Sequence, residues 1–513
     1  MHEEEWSGEP RGRTATLTDP PTLFTNVADL VRHQAAAQPD ATALVRPAPE
    51  RRSLTWSELE QRVAAVASGL AAHGLVAGHR VALRGPSSIE FVVAYFATLR
   101  AGFVCVPLDP EAAPDELRST LADCGARVLL STDPVEVDDL TPDGVRVLAL
   151  TEGGLAELAA DGATPVLSPP DREALAVLLY TAGTSGEPKA AMLSHRALLA
   201  HLEHLHGFGI VDETTVVLAL LPLFHVFGLN AVLGSWVRGG GRLVVEESAE
   251  DLVDVIVDEQ VTNLPLAPSV LYRLLQHAEL AASLAGVRTV VSGAAPLPPA
   301  LGHAFTERTG LRLEQGYGLT EAAPGVTVTL GGDLLGAGHV GRPLPGVDVR
   351  IGDGTDQTEP AEIWIRGDNL FSGYWPDGRG GPDADGWFAT GDIGYLTDGE
   401  LFLVDRSREV INVQGFSVYP AEVEDVIRSV PGVEAVAVIG RRSAGAGEQV
   451  VAFVAGTGLT AEQVVEHCVA GLARFKRPAD VYLVDELPRG ATGKVKKGVL
   501  RRLMASAELE ERP

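Results

Sequence analysis

The hydrophobic positions of the first 300 residues fall into short apolar runs separated by longer stretches with a helical period. Arg80–Arg84, Phe103–Leu108, Arg127–Ser131, Ala174–Tyr180, Thr215–Leu221, Arg242–Glu246 and Arg288–Ser292 have the length and aliphatic content of buried strands. Between them, Ser57–His73, Ile89–Leu99, Leu252–Glu259 and Pro268–His277 have the pattern of helices. Strand–helix alternation of this kind predicts parallel sheets covered on both faces, and its uneven spacing argues against a repeat array. After about Leu330 the texture changes to Gly- and Asp-rich turns between short strands at Asp348–Ile351, Glu362–Arg366 and Glu400–Val404, which predicts a small β unit. From Arg406 a further segment has its own helices, Ala421–Ser429 and Ala461–Ala473, and its own strands, Ala435–Gly440 and Gln449–Ala455. The expected fold class is therefore α/β. A large N-terminal body of two parallel-type sheets plus the β unit spans 22–405, and a small α+β C-terminal domain spans 406–513. Residues 1–21, polar and acidic, predict a disordered lead-in without the basic start and apolar core of a secretory signal.

Length and charge narrow this picture. A chain of 513 residues exceeds one ordinary core. The formal charge of −28 argues against nucleic acid as a partner, since phosphate backbones need a basic surface. From Arg406 onward there are 15 Lys/Arg against 14 Asp/Glu, which leaves 26 against 55 in the rest. A segment with no acidic excess therefore adjoins a strongly acidic body, and it can approach a polyphosphate without gross repulsion. The most apolar stretch, Val216–Phe224, is too short for a bilayer and is broken by Pro222, so no membrane span is expected. Cys105, Cys124 and Cys468 lie far apart without paired spacing. That pattern predicts neither a disulfide framework nor a zinc site and fits a reducing, cytoplasmic location.

The segment richest in chemistry is YTAGTSGEPKAAMLSH, Tyr180–His195, an apolar strand that runs into a Gly/Thr/Ser loop. Gly183 and Gly186 let backbone amides turn toward an anion, Thr181, Thr184 and Ser185 add hydroxyl donors, and Lys189 adds a cation. The Walker A spacing is absent because Pro188 precedes Lys189. By itself such a loop is unspecific. It is followed in order by SGAAPL (Ser292–Leu297), QGYGLTE (Gln315–Glu321), GWFATGDIG (Gly386–Gly394), VDRSREVI from Val404, and PRGATGKVKKGVLR (Pro488–Arg501). With these motifs the chain resembles the adenylate-forming superfamily of acyl-CoA synthetases, peptide-synthetase adenylation domains and luciferases, from about Asp29 to Leu503. The family loop has Ser, Thr and Gly where this chain has Ala182, Ser185 and Ala190.

The resemblance implies the following roles. Ala294 and its neighbours wall the adenine and acyl groups, Tyr317 stacks on adenine, Thr320 contacts the α-phosphate, and Glu321 helps hold Mg²⁺. Asp392 and Arg406 contact the ribose. Lys494 is the catalytic lysine bridging the acyl carboxylate and the α-phosphate; two anions meeting there require a fixed cation. LPLFHVFGLN, Leu221–Asn230, is similar to the acyl-CoA synthetase segment in which His225 gates the acyl pocket. This segment has no acid to hold an ammonium, which argues against α-amino acid substrates. INVQGFSVYPAEVE, Ile411–Glu424, resembles the loop that helps build a thiol channel, with Gly415 as its close-packing residue, after a mobile C-terminal domain turns about the hinge at Arg408. Arg408, Asn412 and Gln414 depart from the residues common in relatives. Phe103–Thr132, by contrast, resembles peptide-synthetase domains.

The expected function is activation of a carboxylic acid by ATP and Mg²⁺ to acyl-AMP, then thioester formation with coenzyme A. A medium- or long-chain fatty acid or an arylpropenoate is the expected substrate, since Ala294, Gly316, Ala322 and Ala323 suggest an unblocked pocket. Trp236 is either the floor of that pocket or part of the core. The alternatives are a stand-alone adenylation enzyme serving a carrier protein and a non-catalytic nucleotide-binding relative.

Overall fold

The computed structural model describes residues 24–510 apart from 48–49, 135–140, 161, 163, 182–188, 247–251, 331–335, 337, 407–408, 410, 414–415, 444–446, 473 and 491–492. The expected lead-in, 1–21, lies outside the described residues, as does Arg408.

An opening helix, Asp29–Ala37, is followed by β1 (Thr42–Arg46) and β2 (Arg52–Thr55), whose sheet is completed much later. Thr55 caps α1 (Trp56–Ala72) through a capping box with Glu58, which satisfies the first amides of the helix. A first sheet follows from β3 (Arg80–Arg84), β4 (Val104–Leu108), β5 (Val128–Ser131), β6 (Arg146–Ala149), β7 (Leu175–Thr181) and β8 (Lys189–Ser194). Its spatial order is β6-β5-β3-β4-β7-β8, parallel except for the last, antiparallel pair. Between β3 and β4 runs α2 (Ile89–Arg100), all of whose residues are buried. Its two charged ends survive burial because they are paired: Arg52 reaches Glu90 at 2.8 Å and Arg100 reaches Glu60 at 2.8 Å.

After α3 (His195–His206) come β9 (Val216–Ala219), β10 (Arg242–Val245), β11 (Asn263–Leu266), β12 (Thr289–Ser292) and β13 (Leu313–Gly318). These run parallel to one another and to β1. The β-rich region expected as an additional unit is hydrogen-bonded directly onto this sheet. β14 (Gly325–Val328) pairs antiparallel with β13, and β15 (His339–Pro343), β16 (Val347–Ile351), β17 (Ala361–Gly367), β18 (Phe388–Thr397) and β19 (Glu400–Arg406) extend it to thirteen strands. The reversal at β13–β14 is local, so nothing in the hydrophobic pattern announces the join. The largest buried cluster draws on both sheets, with Leu83 and Val128 from the first and Leu44 and Leu243 from the second. Trp236 belongs to this core: it is fully buried, stacks on Trp56 at 4.8 Å and donates its indole N–H to the Gly241 carbonyl.

The C-terminal segment forms a third sheet from β20 (Ile411–Val413), β21 (Phe416–Val418), β22 (Val433–Ser443), β23 (Gly447–Gly456) and β24 (Asp480–Val484). It has its own buried cluster, which includes Val423, Ile427, Val438 and Val464. Here α4 (Pro420–Arg428) and α5 (Lys497–Glu510) are tied by Lys497, whose Nζ lies 2.8 Å from Glu424 and 3.0 Å from Glu409. Burial works to lower the pKa of that ammonium, but the two carboxylates outweigh it and hold the group above its ordinary value.

Three buried imidazoles make stability depend on pH. Burial lowers His195 to about 4 and His201 to about 3, and burial followed by the Lys494 charge lowers His225 to about 4. In the unfolded chain each takes up a proton near pH 6.5, while the folded state stays neutral. Stability is therefore full above pH 6.5 and falls as pH drops toward 4, by about 1.4 kcal/mol per pH unit for each histidine. Urea unfolding at pH 7 and pH 5 is expected to show this loss, with a shallower dependence in His201→Leu. An identical slope in that variant contradicts the assignment.

Candidate active site

The antiparallel hairpin β7–β8 places Thr181 opposite Lys189 at the base of the loop. Gly183, Thr184, Ser185 and Gly186 lie outside the described residues, and so does Gly415. Lys189, the first residue of β8, is exposed, and the Thr181 hydroxyl donates to its carbonyl at 3.3 Å.

The second sheet supplies the acidic side. Immediately after β13 the chain makes one tight turn, Thr320–Ala322, which carries Thr320 and Glu321. Two fully buried asparagines hold that turn. Asn230 Nδ2 donates to the Ala323 carbonyl at 2.6 Å, and Asn369 Nδ2 donates to the carbonyls of Ala322 at 2.7 Å and Gly325 at 2.9 Å. One Glu321 oxygen accepts from the Tyr374 hydroxyl at 2.6 Å, and Lys189 Nζ sits 5.2 Å from the centre of the same ring. The loop cation and the turn carboxylate, far apart in sequence, thus face one region.

Beside them Tyr317 on β13 donates its hydroxyl to Asp392 on β18 at 2.6 Å, and both side chains are buried. The β18–β19 register pairs Asp392 with Arg406, whose side chain is outside the described atoms. Ala294 follows β12 with φ +67°, a left-handed conformation that turns the loop sharply after Gly293.

His225 lies at the entry to a π-helical segment, Phe227–Gly234, which the sequence pattern did not reveal. Its Nδ1 accepts from the Phe227 amide at 3.3 Å. The Phe227 ring packs on Gly293 so closely that a Cβ there would stand 2.5 Å from it. Behind Phe227 opens a cavity of about 80 Å³, lined mainly by aliphatic residues that include Leu202, Ala231, Val232 and Val291. Trp236, expected as a possible floor, does not line it. The C-terminal unit reaches this place as well. Gly493 packs on Ser269 of the helix Pro268–Leu274, and Lys494 lies near enough for its charge to depress the His225 pKa.

The site therefore gathers Thr181, Lys189, Thr320 and Glu321 around one region, with Tyr317, Asp392 and the Arg406 backbone beside it, while His225, two residues before the cavity-lining Phe227, lies within electrostatic reach of Lys494. Sequence reasoning missed Tyr374, Asn230, Asn369 and Ser269. Only Tyr374, in Ser372-Gly373-Tyr374-Trp375, carries a local signal, an aromatic pair after glycine; isolated Asn and Ser carry none. Among the described residues, no group of three or more His, Cys, Asp or Glu is placed to hold a metal. A single hard oxygen donor such as Glu321 fits Mg²⁺ that arrives with its own phosphate ligands. Among the described residues, no helix is long and apolar enough to cross a membrane.

Residues 31–375 match the AMP-binding enzyme family, and residues 422–494 match the AMP-binding enzyme C-terminal domain. The chain is 34% identical over 464 residues to a feruloyl-CoA synthase of Amycolatopsis sp, covering 88% of this chain and 94% of that protein. It is 33% identical over 497 residues to the long-chain-fatty-acid–CoA ligase FadD13 of Mycobacterium tuberculosis, covering 93% and 98%. Its fold superposes on ATP-bound MatB from Rhodopseudomonas palustris with a TM-score of 0.85 at 31% identity, covering 93% and 99%. Against the apo form of that protein, which covers 94% of this chain and 100% of that one at 30% identity, the TM-score is 0.73.

Proposed function

The chain belongs to the AMP-binding enzyme family, and from that premise we propose how its residues activate a carboxylic acid and pass the acyl group to coenzyme A. It is an AMP-forming acid–thiol ligase, as its relatives along nearly the whole length are. The observation that carries the assignment of roles is the docking of the C-terminal unit, whose Gly493 packs on Ser269 and which brings the Lys494 charge within electrostatic reach of His225. The closer superposition on the ATP-bound than on the apo form of MatB supports reading this as the adenylating arrangement.

In the first half-reaction the acid's carboxylate oxygen attacks the α-phosphate of MgATP, and pyrophosphate leaves with the electrons of the broken P–O bond. Lys494 offsets the charge of the two anions as they meet. Lys189 and Thr181, with Thr184, Ser185 and the amides near Gly183 and Gly186, hold the departing phosphates. Thr320 contacts the α-phosphate, and Glu321 binds the Mg²⁺ carried by the nucleotide. Tyr317 stacks on adenine beside Ala294, while Asp392 and Arg406 take the ribose hydroxyls. His225, held neutral by burial and by the Lys494 charge, lies two residues before Phe227, which lines the acyl cavity, and adds no charge there.

In the second half-reaction a thiol attacks the acyl carbon and AMP leaves. Lys494 must first withdraw to open a path, and Gly415 would line it. The end of β19 at Arg406 and the start of a new sheet at Ile411 support a division between the turning units near residues 405–406. Mainly aliphatic cavity walls favour an apolar acyl group, and the likeness to FadD13 supports a medium- or long-chain fatty acid. The likeness to feruloyl-CoA synthase supports an arylpropenoate as the second reading. Three free, buried cysteines fit a reducing, cytoplasmic location.

Lys494→Ala is expected to slow acyl-AMP formation by roughly 10²–10³-fold, while conversion of supplied acyl-AMP to thioester persists. Equal loss in both half-reactions contradicts the assignment. Mass spectrometry of products from MgATP and a pooled panel of short, medium, long-chain and aryl acids, with and without coenzyme A, identifies the substrate. An acyl-CoA product is expected; acyl-AMP without thioester would move the acceptor to a carrier protein. Ala231→Trp, which fills the cavity, is expected to shift preference toward short acids by at least about 10-fold, on the scale of a few methylenes. An unchanged profile removes the cavity as the acyl site.

A further inference from the structure

Tyr374 touches both charged groups that the proposed chemistry needs, and it does so across the seam between the two large sheets. Its backbone is fixed on the outer edge of β8. Ser372 N–H donates to Met192 O at 2.9 Å, Met192 N–H to Gly373 O at 3.0 Å, and Trp375 N–H to Ala190 O at 2.9 Å. This places the segment beside the strand that Lys189 begins. The ring is held edge-on by Phe371 at 5.0 Å and carries the Lys189 ammonium over its face at 5.2 Å. The hydroxyl then crosses to the second sheet and donates to Glu321 Oε1 at 2.6 Å, while the Phe371 amide donates to the Glu321 carbonyl at 2.9 Å. Backbone and side chain of Glu321 are thus both referenced to the strand edge beneath the phosphate loop.

We propose that Tyr374 is a positioning residue that aims the Glu321 carboxylate at the Mg²⁺ accompanying ATP while its ring seats Lys189 for the phosphate chain. The proposal rests on the reading of Glu321 given above. Packing alone accounts for an aromatic ring at this place but not for its hydroxyl, since phenylalanine fills the same volume without fixing a carboxylate oxygen. A ligating carboxylate is oriented by its hydrogen-bond partners, and loss of such a partner typically costs 10–100-fold in metal affinity or activity. The ring and the hydroxyl therefore have separable consequences.

The test is isothermal titration calorimetry of the full chain with ATP in excess Mg²⁺ and with ATP in EDTA, compared across variants. Tyr374→Phe is expected to lose about 10-fold or more in affinity for MgATP, with its affinity for metal-free ATP and its melting temperature unchanged. Tyr374→Leu, which also removes the seat of Lys189, is expected to weaken binding of both forms. Glu321→Gln is expected to abolish the gain that Mg²⁺ gives the unaltered protein. If Tyr374→Phe leaves both affinities unchanged, or lowers both equally, the positioning role is overturned and packing remains. If Glu321→Gln retains the full Mg²⁺ gain, the metal reading of Glu321 fails by that separate result, and the proposal fails with it.

Discussion

A carboxylate and a triphosphate repel each other, and in the proposed reading this chain answers that repulsion with cations supplied from separate pieces. Lys189 comes from the edge of the first sheet and Lys494 from the C-terminal unit. Glu321, on a turn of the second sheet, faces the Lys189 region through Tyr374. No single element carries all three, so their relation depends on how the pieces pack. The fully buried α2, with its paired terminal charges, and the core shared by both large sheets hold the sheets that carry Lys189 and Glu321 together.

The third piece is held differently. Gly493 rests on Ser269, and the loop bearing Lys494 is closed on itself by the Gly490 amide, which donates to the Lys494 carbonyl at 2.8 Å. Three residues further on, Lys497 ties α5 to Glu424 and to Glu409, just past the proposed hinge. A buried ammonium between two carboxylates resists separation, because removing either partner leaves charge unpaired in a poor solvent. The loop and the start of the unit therefore move together, and a turn near the hinge carries Lys494 with it.

Much of this was legible in the chain itself, and what was not shares one physical cause. Strand β3 falls on the residues its apolar run marks, and β4, β5, β7, β9, β10 and β12 lie within a residue or two of theirs, because burial on both faces leaves an uninterrupted aliphatic signature. The ordered motifs located Tyr317, Glu321, Asp392 and Lys494, although spacing alone does not assign their roles. The join of the β-rich region to the second sheet escaped, since strand pairing across β13–β14 leaves no mark on hydrophobic period. So did the π-helical segment, whose composition is that of an ordinary buried helix, and Asn230, Asn369 and Tyr374, which act on carbonyls and a carboxylate far away in sequence. Trp236 was ambiguous by sequence and is settled by its stack on Trp56.

In the proposed reading the docked position of the C-terminal unit forms the adenylate and must be left for the thioester to form. Cysteines at positions 269 and 493 test it most directly, because a Cβ on Gly493 lies 3.3 Å from that of Ser269, close to disulfide reach. The native Cys105, Cys124 and Cys468 are buried and stand apart from this contact. Gly493 has φ +79°, so the new side chain costs about 1–2 kcal/mol there. Oxidised Ser269→Cys/Gly493→Cys is expected to make acyl-AMP and pyrophosphate but no acyl-CoA, and reduction is expected to restore thioester formation. An oxidised, cross-linked protein that forms acyl-CoA at an undiminished rate would contradict that reading.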